Sequence, residues 1–258
     1  MKKNIFLIIL ASVTIFCIIA GAVRHIGISR KSVSSVTSSI RKGLRGGSLD
    51  FDFDYEDDKD IEDFDFEDDD PKSFDSETIG EFTELDVRMK VGGIKIERGN
   101  KWEIRSKYTY AYLKPAYTLK NGKLSISQPN YKNRHVGNKS CRVVITVPFG
   151  TVLDNLAMNM DVGAVELSGF DIKKGSIDTD VGAIAISNLN FNDLDLDSDV
   201  GAVAIELVEP VENYDINISS SVGGIVVDGK NVKRRFSQKG DKNKRLRINT
   251  DVGGVEVK

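Results

Sequence analysis

From Leu85 onward the chain is written in short runs whose apolar residues fall on alternate positions, and glycine pairs cut the runs. Leu85-Asp86-Val87-Arg88-Met89-Lys90-Val91 alternates with period two, Gly92-Gly93 interrupts, and Ile94-Lys95-Ile96 resumes. Period two is that of a β-strand with one face on a core, so the stretch reads as strand, bend, strand. The phrase occurs six times: Lys90-Val91-Gly92-Gly93-Ile94, Asp161-Val162-Gly163-Ala164-Val165, Asp180-Val181-Gly182-Ala183-Ile184, Asp199-Val200-Gly201-Ala202-Val203, Ser221-Val222-Gly223-Gly224-Ile225 and Asp251-Val252-Gly253-Gly254-Val255. Asp161, Asp180 and Asp199 are 19 residues apart, Ser221 follows after 22 and Asp251 after 30. A recurring period of this size marks stacked supersecondary units.

Each unit leads with an alternating strand (Leu156, Met158, Met160, Val162 in one; Leu246, Ile248, Thr250, Val252 in another) and resumes after the glycine with Val165 and Leu167 or their equivalents. The step from Val162 to Val165 is odd and would turn a continuous strand inside out. The glycine pair is therefore expected to form a bend or bulge that restores the inward face. Glycine suits that corner because it tolerates positive φ and lets neighbouring coils come close. The expected fold is all-β: a single-stack β-solenoid, like a small β-helix, with an aliphatic interior and the corners Gly92, Gly163, Gly182, Gly201, Gly223 and Gly253 aligned in a column. Ahead of the repeats, Trp102 to Tyr112 is aromatic and β-prone, and Leu119-Lys120-Asn121-Gly122-Lys123-Leu124 carries the Asn-Gly signal of a two-residue hairpin. Residues 127 to 140 are polar and loop-like, and Arg142 to Val147 is a strand stopped by Pro148 and Gly150. No stretch after residue 24 sustains a helical period.

The N-terminus follows a different pattern. Ile5 to Val23 is nineteen residues with nothing more polar than Ser12 and Thr14, long enough to cross a bilayer as a helix. Its rival is a cleaved signal peptide ending at Ala20-Gly21-Ala22, whose apolar region would be unusually long at this length. The expected organisation is a membrane anchor at 1–28, a linker at 29–78 and a β-repeat domain at 79–258. Six basic residues follow the apolar span and two lysines precede it, which taken alone favours a cytoplasmic domain. Long domains translocate despite such charge, and the expectation is a single-pass protein with its C-terminal domain outside the cytoplasm.

Charge sharpens this division. Of 258 residues, 1–49 carry eight Lys or Arg and no acid, whereas 50–70 carry fourteen Asp or Glu against Lys59 alone. The net charge of −3 is thus a cancellation. A basic stretch beside a bilayer is drawn to anionic headgroups. The acidic half, in which aromatics alternate with carboxylates from Leu49 to Glu56, opposes its own compaction and reads as a disordered spacer or partner-binding tail. With two cysteines, Cys17 and Cys141, no disulfide framework supports the fold.

Signals for chemistry are mostly decoys. Gly224 to Lys230 matches a phosphate-loop spacing, but Asn231 stands where Ser or Thr is needed and the middle residues form a strand. His25 and His135 are too few for a histidine metal site. Asp161, Asp180, Asp199 and Asp251 recur at the bend; such a column could bind calcium or line a carbohydrate cleft, but Ser221 in the fifth copy suits turn-capping better than ligation. No catalytic, cofactor or metal site is expected, and neither a nucleic acid nor a small-molecule substrate.

The strand Val143-Val144-Ile145-Thr146-Val147-Pro148, a short link, and strand-glycine-strand repeats such as Met158 to Leu167 and Asp178 to Ile186 resemble the bacterial putative-adhesin family of β-strand-repeat envelope proteins, related to toastrack-type domains. The resemblance implies a surface-facing, non-enzymatic interaction or sensing module. A residue after the first glycine that is usually polar in the family is Ala or Gly here. The alternatives are a carbohydrate-active β-helix, which would show an aromatic and carboxylate cleft on one face, and a cytoplasm-facing membrane scaffold.

One insertion stands out as a candidate site. Between the fifth and sixth copies the period stretches to 30 residues, and the extra length, 230–245, holds Lys230, Lys233, Arg234, Arg235, Lys239, Lys242, Lys244 and Arg245 against Asp241. This reads as a basic β-hairpin projecting from the C-terminal end of the solenoid. Its field would draw an anionic envelope polymer, a membrane surface, another envelope protein, or this chain's own segment 50–70. The competing reading is a polar cap that guards the stack end.

Overall fold

A computed structural model describes residues 73–129, 141–240 and 243–258. The expected membrane segment, nearly all of the linker, the loop at 130–140 and Lys242 lie outside the described residues. Among those described, no helix is long and apolar enough to cross a membrane, and the helical turns are two 3₁₀ turns, Ala111–Leu113 and Val211–Asn213. The remainder is strand and connection, as the period-two pattern requires.

The strands are β1 (Ser73–Thr78), β2 (Glu84–Gly99), β3 (Glu103–Tyr108), β4 (Ala116–Lys120), β5 (Lys123–Ser127), β6 (Cys141–Pro148), β7 (Val152–Ser168), β8 (Asp171–Ser187), β9 (Asn190–Ile205), β10 (Tyr214–Val222), β11 (Ile225–Val227), β12 (Lys230–Val232), β13 (Arg235–Gln238) and β14 (Lys244–Val257). β2, β7, β8, β9 and β14 each run through a glycine bend and pair in parallel, residue for residue. Before the bend the order is β4-β5-β2-β7-β8-β9-β14-β10-β13; after it, β1-β3-β6-β2-β7-β8-β9-β14-β11-β12. The inward side chains of both runs, from Leu85 and Met89 through Leu156, Leu194 and Leu246 to Val255 and Val257, share one core cluster. Burying each such side chain contributes roughly 1.5–3 kcal/mol, which is what holds short coils in register.

The stack departs from the expected order in one respect. The sixth copy is not the last coil: β14 lies between β9 and β10, so Gly253 sits between Gly201 and Gly223. The pairing pattern supplies the reason. β14 continues through its bend and matches β9 from Arg245 to Val257, whereas β10 ends at Val222 and the coil restarts only at Ile225. The interrupted coil takes the end, where a neighbour on one side suffices.

Two further expectations need correction. The sheet starts at Ser73 rather than at residue 79, because Ser73–Thr78 pairs antiparallel with β3, from Ser73 opposite Tyr108 to Thr78 opposite Glu103. Val162 does not point inward. Met160 and Gly163 do, and Asp161 and Val162 both face out; the register passes from Met160 opposite Thr179 to Val162 opposite Val181, leaving Asp161 and Asp180 unpaired. The odd step is thus a bulge of one extra residue just before the glycine.

The glycine column is real, and its cause is close approach. A Cβ on Gly163 would stand 1.7 Å from the Gly92 carbonyl oxygen, on Gly182 1.9 Å from that of Gly163, on Gly201 1.7 Å from that of Gly182, on Gly253 1.6 Å from that of Gly201, and on Gly223 1.7 Å from that of Gly253. Of these, only Gly223 has φ in the left-handed range, with Gly92 at the other end of the column. The four inner corners need glycine for space rather than for φ. Thr179, Ser198, Thr250 and Ser220 stand inward just before the corner, small enough for the narrowing interior.

Candidate functional site

The aspartate column lies where the bulge places it, on the outside of the bend. Lys90 closes one end, its Nζ 2.7 Å from Asp161, and the Ser221 hydroxyl donates to Asp251 at 3.4 Å on the other. The contacts at the two ends of the column are thus made by side chains, Lys90 and Ser221. One row away, burial first and then the charges of Asp178, Asp199 and Asp251 raise the pKa of Asp197. These carboxylates repel one another, and among the described residues no three His, Cys, Asp or Glu side chains converge on a common point.

The basic insertion does not project. After β10 the chain crosses to β11, turns through Asp228 and Gly229, both at positive φ (50° and 67°), and returns as β12. This I′-type hairpin is what the phosphate-loop spacing of Gly224 to Lys230 amounts to. β13 then runs antiparallel along β10, with Ile216 opposite Gln238 and Ser219 opposite Arg235. Two bonds clamp it there: the Gln238 amide donates to the Val211 carbonyl at 2.9 Å, and the Gly240 N–H to Asp215 at 2.6 Å.

This divides the eight predicted cations. Lys244 and Arg245 belong to β14, inside the stack; Lys244 is largely buried between Asn190 and Glu209, at 2.6 and 2.8 Å, and Arg245 donates to Asp193 at 2.8 Å. Lys230 pairs with Asp228 at 3.3 Å, and Lys242 is outside the described residues. Lys233, Arg234, Arg235 and Lys239 remain, all exposed and, among the described residues, with no carboxylate within 4.0 Å. Elsewhere cations are commonly paired, as in Lys95 with Glu166, Lys123 with Asp86, Lys173 with Asp154 and Arg247 with Asp195. Lys233, Arg234 and Arg235 line a shallow depression of 530 Å³ with Gly223 and Val232. It opens where the last coil is interrupted. Three cations that line an accessible depression and have no carboxylate partner among the described residues attract an anion.

A group the sequence reading missed occupies the other end of the stack. Tyr108 donates to Asp75 at 2.6 Å, Lys114 lies 3.1 Å from the same carboxylate, and Tyr117 donates to Glu77. The Tyr108 hydroxyl, then Lys114, lower the pKa of Asp75. Tyr110 and Tyr112 stack 5.5 Å apart. This grouping has the aromatic and acidic composition of a sugar site, but its carboxylates are engaged in tying β1 to the fold, and it forms an end rather than a cleft. Its one signal in the sequence is the alternation Phe74-Asp75-Ser76-Glu77, masked by the acidic run before it.

The sequence matches the model of the family described as Toastrack DUF4097 over residues 82–257. The chain belongs to the toastrack family. Among solved structures, this toastrack chain is similar to a putative cell adhesion protein from Clostridium sporogenes, with TM-score 0.59 and 18% identity over 72% of this chain and 98% of that one. A putative adhesin from Bacteroides fragilis matches at 17% identity, covering 72% and 97%, with TM-score 0.30. One from Parabacteroides merdae matches at 12%, covering 73% and 96%, with TM-score 0.27. The first carries the fold; identities this low carry no function. No curated protein matches.

Proposed function

We propose that this toastrack protein is a non-enzymatic, adhesin-like interaction module, held at the membrane by the apolar segment 5–23 as a transmembrane helix, with its β-stack outside the cytoplasm of a bacterial-type cell. Its contact surface is the cationic end of the stack, and its ligand is an anionic polymer of the cell envelope. One observation carries the reading: Lys233, Arg234 and Arg235 line an open depression, and they and Lys239 are exposed with no carboxylate partner among the described residues, while at the other end of the stack Lys114 is paired with Asp75. A cap needed only for solubility would be served equally well by paired charges.

The test is binding of the full chain, in neutral detergent, to polyglycerol phosphate and to uncharged dextran. The account expects binding to the polyanion at low ionic strength, lost by about 0.3 M salt, where the Debye length is only about 5–6 Å. Changing Lys233, Arg234 and Arg235 to Ser should abolish it. Equal binding to dextran, or undiminished binding by the triple variant, would overturn the assignment.

A further inference from the structure

The edge strand that carries these cations has a second property. β13 pairs with β10 on one side, and among the described residues nothing pairs with its other edge. An open edge is a row of free N–H and C=O groups, a template for an added strand. The two faces of that edge differ sharply. Phe236 and Gln238 stand opposite Ile218 and Ile216 and face inward, with Phe236 half-buried against the core. Arg235 and Ser237 stand opposite Ser219 and Asn217 and face outward, followed on that face by Lys239.

A strand added here would meet the Phe236 ring on one face and the cations Arg235 and Lys239 on the other. Few sequences satisfy both faces. Leu49-Asp50-Phe51-Asp52-Phe53-Asp54-Tyr55-Glu56 does so with period two, four apolar side chains on one side and four carboxylates on the other. Slipping it by one residue would bury the carboxylates, so only alternate registers are permitted. We propose that residues 49–56 of this chain dock as an additional strand on the free edge of β13 and mask the cationic end. The inference rests on the reading of that end as an anion-contact surface, and makes it self-limiting.

The geometry allows docking within one chain. From β1, where the described chain begins, to a strand added beyond β13 is ten strand steps, roughly 48 Å at about 4.8 Å each. Residues 57–72 number sixteen and extend to about 54 Å. A tether this close to full extension supplies an effective concentration on the order of 0.1 mM, so a strand with ~0.1 mM affinity occupies about half of the ends and weakens an outside polyanion about twofold.

The test uses the full chain in neutral detergent with the photo-crosslinker p-benzoylphenylalanine at Phe53, mapped by mass spectrometry in a mixture of isotopically light and heavy chains. Crosslinks are expected within one chain, onto residues 232–238. They should be lost in Arg235→Glu and recovered when that change is combined with Asp52→Arg and Asp54→Arg. Crosslinks placed elsewhere, formed between chains, or indifferent to Arg235→Glu overturn the proposal. In parallel, the chain with Asp50→Asn, Asp52→Asn, Asp54→Asn and Glu56→Gln should bind polyglycerol phosphate about twofold more tightly than the unmodified chain. Unchanged binding overturns the masking. Absence of binding by the neutralised chain overturns the proposed function instead, while the crosslinks still decide whether the strand docks.

Discussion

Replacing Gly201 by alanine would place a methyl carbon 1.7 Å from the carbonyl oxygen of Gly182 and 2.8 Å from its carbon. Even a tight contact of 3.0 Å requires the two coils to part by 1.3 Å at that point, the difference of the two distances. Coils in a sheet are spaced at about 4.8 Å, and the ladder bonds that set the spacing do not stretch that far. The bonds on either side of the bend would be lost, at about 1 kcal/mol each, and each buried backbone group left without a partner adds about 1–3 kcal/mol. The sum is about 4 kcal/mol or more, against the ~0.4–1 kcal/mol gained by restricting the unfolded chain. Set beside a typical domain stability of about 5–15 kcal/mol, this is a large fraction of the total. The readout is the urea midpoint by circular dichroism, expected to fall by about 2 M at an m-value near 2 kcal/mol/M. Gly229→Ala is the control: nothing lies within 4 Å of its added Cβ, but its φ is +67°, so it should cost only about 1–2 kcal/mol. A Gly201→Ala protein as stable as wild type, or no worse than Gly229→Ala, would refute the close-approach account of the column.

Asp197→Asn should stabilise the fold slightly at neutral pH, by less than ~1 kcal/mol because the site is screened by solvent. The folded pKa of Asp197 is raised above its ordinary 3.8, so the folded chain holds this proton more tightly, and the penalty it removes grows as pH rises past that value and vanishes below it; thermal melts at pH 3 and pH 7 check both limbs. Tyr108→Phe should cost about 1 kcal/mol and lower hydrogen-exchange protection across 73–78. The folded pKa of Asp75 is depressed, so its contribution is present above 3.8 and lost as pH falls through the lower folded value, where wild type and variant should converge. Burial pushes the Cys141 thiol up to about 12, so maleimide should leave it unlabelled in the native protein and label it in urea.

Much of this fold can be read locally. Period two marked the strands, the Val-Gly phrase marked the bends, and Asn121-Gly122 marked a hairpin whose two residues do take positive φ, 51° and 74°. The order of the coils cannot be read that way, because whether β14 follows β10 or slips between β10 and β9 is decided by pairing between strands distant in sequence. The loss of Asp at Ser221 was the available hint that the fifth copy is the terminal one, since Gly223-Gly224 reads the same as Gly253-Gly254, whose strand runs through its bend. Outward Val162 was assigned inward because the odd step to Val165 calls for a bulge without saying whether the extra residue lies at the glycine pair or, as it does, just before it. The extent of the basic insertion was overread for a related reason: Lys244 and Arg245 precede the alternation Leu246, Ile248, Thr250 and belong to its strand. β1 was missed because its five polar or acidic residues and one aromatic look like the tail before them; what holds them in the sheet is the ladder to β3 and the contacts to Asp75 and Glu77 made by residues distant in sequence.

Amide hydrogen exchange of the full chain, with and without polyglycerol phosphate, locates the contact surface directly. The account predicts added protection confined to residues 230–240, with the bends at Asp161, Asp180 and Asp199 and the tyrosine-rich end unchanged. Protection along the aspartate column or at Tyr110 and Tyr112, with none at Lys233 to Lys239, would contradict it.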